Sequence, residues 1–130
     1  MSKKTFQNLP NTTTPLNAAN LNEIQENMVE YKTFEISVGG SKSLTHNTSS
    51  FVLLLSAKGG QGGAQSVWLI AGSGAGTSSR DSVIKLHDYG SRELTYTITD
   101  QTITLTNPNT TIMYCSIVFL VGSLSQITVS

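Results

Sequence analysis

In Phe34-Glu35-Ile36-Ser37-Val38-Gly39-Gly40, apolar and polar residues alternate with period two until a glycine pair ends the run. This is the mark of a half-buried strand, whose successive side chains point to opposite faces. No helical period returns between here and Ser130. Phe51 to Leu55 and Val67 to Ile70 are continuous apolar runs, and Val83 to Leu86 is a shorter one. Leu94, Tyr96 and Ile98 alternate with threonines, as do Ile103 and Leu105, about a turn near Asp100. Asn107-Pro108-Asn109 breaks the chain, Ile112 to Val121 reads as a long strand, and Ile127 to Val129 as a last short one. Roughly eight strands at this spacing predict an antiparallel β-sandwich or jelly roll over residues 33–130. The runs 51–55 and 112–121 are apolar on both faces, whereas a lone antiparallel sandwich wets one face of each sheet. Another copy of the same chain is the most economical cover for the second apolar face.

Upstream the pattern differs. Leu21, Ile24, Met28 and Tyr31 follow one another at heptad spacings, and Asn17 is a good N-cap, so residues 17–32 read as a short helix. A helix of about 14 residues is marginal alone. With Leu21 and Met28 at a positions and Ile24 and Tyr31 at d positions, the preference moves toward trimers or tetramers. An amphipathic helix packed on its own β domain fits the pattern equally well. Residues 1–16, polar and punctuated by Pro10, read as an extended arm.

The 130 residues allow one domain and a short extension. Lys+Arg and Asp+Glu are 8 each and only 12% of residues are charged, which argues against nucleic-acid binding by counterion release and against a polybasic membrane anchor. The longest apolar stretch, Ile117 to Val121, is far below the ~20 residues of a membrane span. Met1-Ser2-Lys3-Lys4 has no signal-peptide character, so synthesis in a cytoplasm is expected. Cys115, the single cysteine, reads as a small buried hydrophobe.

Gly59-Gly60-Gln61-Gly62-Gly63 lacks the Lys-Ser/Thr of a P-loop, and Gly72-Ser73-Gly74-Ala75-Gly76 leads into a strand rather than a helix, so neither predicts phosphate binding. His46 and His87 have no neighbours at metal-ligand spacing, and neither a metal nor a cofactor is expected. No carboxylate pair or activated nucleophile stands out, so the sequence predicts a binding or structural protein and not an enzyme. The candidate ligand contacts are His87, Asp88, Tyr89 and Arg92, read as a polar turn, together with Trp68, whose place in an apolar strand equally suits the core.

Leu9-Pro10-Asn11-Thr12-Thr13-Thr14-Pro15-Leu16-Asn17-Ala18-Ala19-Asn20-Leu21-Asn22 resembles a segment that recurs in tail, baseplate and fibre proteins of bacteriophages and prophages, ahead of a short helix and a variable β domain. Phe51 to Leu55, Val67 to Ile70 and Thr102 to Asn107 look like the C-terminal head domains of such fibres. The resemblance implies a virion protein and a homotrimer. Residues 1–16 would dock on other virion proteins, and the β head would meet a host-surface glycan or cell-wall polymer. A capsid fibre or decoration protein without a receptor is the alternative it leaves open.

Overall fold

The computed structural model describes residues 30–60, 65–90 and 93–130. The chain divides into two units, 1–30 and 31–130, and the second is the β unit. Among the described residues it has nine strands: β1 (Tyr31–Ile36), β2 (Ser41–His46), β3 (Phe51–Gly59), β4 (Gln65–Gly72), β5 (Ser82–Tyr89), β6 (Thr95–Thr99), β7 (Thr102–Thr106), β8 (Met113–Val121) and β9 (Ile127–Val129). They form a five-stranded sheet, β1-β8-β3-β4-β5, and a four-stranded sheet, β6-β7-β2-β9. Every pairing is antiparallel.

Alternation within the strands creates the core. Ile36 of β1, Leu53 and Leu55 of β3, Ile70 of β4 and Met113 and Ile117 of β8 come from the larger sheet. Leu44 of β2, Ile103 and Leu105 of β7 and Ile127 of β9 come from the smaller one, and all belong to one buried cluster. The two sheets thus share a single apolar interior. β3, β4 and β5 run as a meander within one sheet, so the order is not the strand exchange of a jelly roll.

Three expectations change. Tyr31, assigned to the helix seam, is the first residue of β1 and pairs with Val118, because β8 offers it a strand partner. The β unit accordingly begins at Tyr31 and not at residue 33, while Leu21, Ile24 and Met28 lie outside the described residues. Val38, placed in the first strand by its alternation, sits 54% exposed in the turn after Ile36, where Gly39 takes φ 71°. β2 has no counterpart in the sequence reading, since Ser41-Lys42-Ser43-Leu44-Thr45-His46 carries only one aliphatic residue.

Asn107 fastens the end of β1 to the β7–β8 connection. Its wholly buried side chain donates to the carbonyls of Ile36 (3.0 Å) and Thr111 (2.9 Å), and its Oδ1 accepts from the Asn109 backbone N–H at 2.9 Å. Both ends of the amide are satisfied, as burial demands. Asp100, at φ 51°, takes the left-handed position in the turn between β6 and β7 that its Asp-Gln sequence permits.

Cys115 is buried as expected, and desolvation pushes its thiol up to about 12 from 9.0. A native thiol with so little thiolate is expected to resist a disulfide reagent at pH 8 and to react at once in urea, as a colorimetric thiol titration would show. The folded pKa is raised, so the contribution to stability is whole below pH 9.0 and is lost as pH climbs toward about 12.

Candidate functional site

Register converts the outward side chains of the larger sheet into rows, because directly opposed residues of antiparallel strands share a face. Tyr31, Val118, Leu54, Leu69 and Ile84 form one row across β1, β8, β3, β4 and β5. It is wholly apolar apart from the tyrosine hydroxyl, with Tyr31 49% and Ile84 51% exposed at its ends. The next parallel row but one is different: Glu35, Tyr114, Lys58, Gln65 and Tyr89. Thr33, Ser116, Ser56, Val67 and His87 lie between the two. One outer face therefore grades from hydrocarbon at one end to charge, amide and aromatic rings at the other.

The polar row is the candidate site. Tyr114 and Tyr89 are 46% and 65% exposed. They stand three strand steps apart, about 14 Å at the usual spacing between neighbouring strands. Lys58 and Gln65 occupy the interval, and Gln65 Nε2 is directed by a 3.2 Å bond to Ser56 Oγ. Glu35 flanks Tyr114 on the other side. Hollows of ≈ 420 and ≈ 330 Å³ share Tyr114 in their linings, the first with Thr33, Glu35 and Ser116 and the second with Gly60 and Ile112. Rings spaced along a flat sheet with donors and acceptors between them suit an extended amphipathic ligand with apolar C–H faces and polar edges.

The sequence-predicted contacts separate. His87, Asp88 and Tyr89 end β5 and are not a turn. His87 and Tyr89 share the outer face, whereas Asp88, opposite buried Ser66, points to the other side. There Asp88 and Glu93 both engage Lys85. The Glu93 hydrogen bond raises the Lys85 pKa above the ordinary ammonium range, with Asp88 adding to it. Arg92 lies outside the described residues. Trp68 is only 6% exposed, donates through Nε1 to Ser66 Oγ at 2.9 Å and meets Tyr96 edge-on at 6.1 Å, so it is a core residue and not a ligand platform. Tyr114 and Lys58 carried no signal in the sequence, since only pairing through β3 and β8 aligns them with Tyr89.

His46 and Asp81 form a buried pair. Asp81, in the β4–β5 connection, holds His46 Nε2 with both oxygens at 2.8 Å, and the two side chains are 0% and 1% exposed. His46 Nδ1 faces the Asn47 carbonyl oxygen at 2.5 Å. Both ring nitrogens thus face acceptors, and neither is left to take a proton from a serine, as a triad would require. The pair ties a connection to a strand. Among the described residues, no group of three or more His, Cys, Asp or Glu could hold a metal ion, and no helix is long and apolar enough to cross a membrane.

The two antiparallel sheets on one core are similar in fold to part of a solved phage tailspike chain. Over 92% of its length it is similar to the crystal structure of a tailspike protein from Acinetobacter baumannii bacteriophage Fri1, described as a capsular polysaccharide depolymerase, with TM-score 0.53 and 11% identity. A tailspike protein from Acinetobacter phage vB_ApiP_P1 is also similar, with TM-score 0.48 and 19% identity over 99% of this chain. The chain spans about a quarter of each, 24% and 26% of their lengths. No family model and no curated protein matches the sequence. The expectation that the chain is not an enzyme is corrected here, since its fold recurs within a protein described as a depolymerase. That expectation rested on the lack of a recognisable carboxylate pair, and a motif search is blind to residues that meet only through strand register.

Proposed function

We propose that this chain is the polysaccharide-binding head of a phage tailspike-type virion protein, and that it holds a host-surface glycan along Glu35, Tyr114, Lys58, Gln65 and Tyr89. The exposed tyrosines on one register row carry this reading, and the tailspike fold supports it. Sugar rings stack on Tyr114 and Tyr89 while Lys58, Gln65 and Glu35 bond their hydroxyls. Tyr89→Ala and Tyr114→Ala are each expected to weaken binding of purified host capsule about ten-fold in titration calorimetry, with the fold retained. Saturable binding that neither substitution alters would overturn the assignment.

The depolymerase likeness favours a catalytic extension of the same site. Glu35 is the carboxylate on this row, lining the hollow beside Tyr114. Cleavage would appear as new reducing ends from capsule, and Glu35→Gln would abolish it while leaving binding in place.

The heads work as a homotrimer, with the apolar row Tyr31, Val118, Leu54, Leu69 and Ile84 covered by neighbouring copies. Leu21, Ile24 and Met28 draw the N-terminal segments together, and residues 1–16 dock on other virion proteins. Three weak sites then gain avidity without any strong single contact. Light scattering during size exclusion is expected to give a trimer for the wild type and a monomer for Leu54→Lys, which places an ammonium at the centre of that row.

A further inference from the structure

Beyond Glu35, at the end of the tyrosine row, lies a further hollow of ≈ 570 Å³. It is lined by Phe34 and Glu35 of β1, Ser37 of the following turn, Ser41 and Lys42 of β2, and Ile112 before β8. Ligand pockets run from about 300 to 1,000 Å³. This hollow shares Phe34 and Glu35 with the ≈ 420 Å³ hollow at Tyr114, and Ile112 with the ≈ 330 Å³ one. The three therefore adjoin, and a polymer on the tyrosine row can turn over the edge strand β1 onto β2.

Lys42 is the unusual member of that lining. It stands opposite Leu105 and two positions before Leu44, both buried, so it occupies the inward phase of β2. An aliphatic residue there would extend the core. A half-buried lysine forgoes that burial and must bring its ammonium to water or to an anion. Among the described residues no carboxylate comes within ion-pair distance of Lys42, although Glu35 lines the same hollow. Lys58, on the tyrosine row, is likewise unpaired among them. The joined surface thus carries two ammonium groups, Lys42 and Lys58, against the Glu35 carboxylate, in a chain of zero net charge. Phe34 supplies an apolar wall packed against the core. Ser37 Oγ lies 2.5 Å from where a Cβ of residue 40 would stand, so glycine there leaves this hydroxyl its place.

We infer that this hollow is a subsite for an acidic sugar, and that Lys42 takes the carboxylate of a uronic acid unit. A uronate carries its charge on the ring itself. Its C–H face can lie on Phe34 while the carboxylate meets the ammonium in a charge-assisted hydrogen bond. The ring's hydroxyls donate to Glu35, which only accepts, and bond Ser37 and Ser41. Placing that unit within a longer glycan rests on the reading of the tyrosine row given above.

Titration of the isotope-labelled full chain with sodium glucuronate, followed by amide NMR, tests the subsite. Saturable shifts are expected at Gly40, Ser41 and Lys42. Far smaller ones are expected with glucose, which lacks the carboxylate, and with inorganic phosphate, which lacks the ring. Lys42→Gln is expected to weaken glucuronate about ten-fold, the loss of one hydrogen bond to a charged group. Lys42→Arg retains binding, and both variants keep the wild-type urea midpoint. Absence of glucuronate shifts at these amides overturns the inference. So does an equal response to glucose or phosphate, and so does binding that Lys42→Gln leaves unchanged. Tyr89→Ala/Tyr114→Ala separates the two readings. Capsule binding lost in this variant, beside a wild type silent to glucuronate, sinks the subsite alone. Capsule binding that survives it, with the glucuronate shifts present, sinks the tyrosine row and leaves the subsite.

Discussion

His46→Ala is expected to lower the free energy of unfolding by about 3–5 kcal/mol, the usual cost of removing one partner of a buried pair. Asp81 is 0% exposed through its side chain and takes its hydrogen bonds from the ring, so truncation leaves a buried carboxylate unmatched. The ring also packs on Phe51 at 5.0 Å between centroids, which adds a cavity to the lost pair. Asp81→Asn keeps an oxygen acceptor for Nε2 in the same volume and is expected to cost distinctly less. Urea unfolding followed by tryptophan fluorescence measures both, since Trp68 is in the core. Equal losses for the two substitutions would show that the charge on Asp81, and neither the ring volume nor the hydrogen bond, matters there.

Asn107→Ala is expected to cost about 3 kcal/mol, since a wholly buried amide and the groups it bonds would lose their hydrogen bonds, at roughly 1–3 kcal/mol for a buried group left unsatisfied. The carbonyls of Ile36 and Thr111 would lose a donor, and the Asn109 N–H its acceptor. Asn107→Asp keeps the volume but turns an oxygen toward carbonyl oxygens, and is expected to be at least as damaging. Hydrogen exchange should rise first at Gly39 and at residue 107 itself, since the Gly39 N–H donates to the residue 107 carbonyl and the residue 107 N–H donates to the Gly40 carbonyl. A stability loss without faster exchange there would place the effect elsewhere.

The larger sheet was legible because its strands alternate around large aliphatic residues: Phe34 and Ile36, Phe51 to Leu55, Ile112 to Val121. Strand β2 was not, because its outward positions are Ser41, Ser43 and Thr45 and its inward ones include Lys42 and His46. A hydroxyl face dilutes the apolar count on which a period-two reading depends. Tyr31 failed for another reason. Its spacing from Met28 suits a helix, but a tyrosine is also at home in a strand, and pairing with Val118 prevails. The candidate site was half legible: His87 and Tyr89 lie on the outer face, but Asp88 and Trp68 do not.

The order of residues alone established a β protein with little charge, no room for a membrane span in its apolar runs, and a surplus of apolar strand faces. These follow from composition and local period, which need no knowledge of what lies opposite. Tertiary structure decided which residues share a row. Tyr114, Lys58 and Tyr89 come from three strands, and His46 meets Asp81 across 35 positions. Antiparallel register is a relation between segments, and a slip of one residue would turn every side chain of a strand to the opposite face.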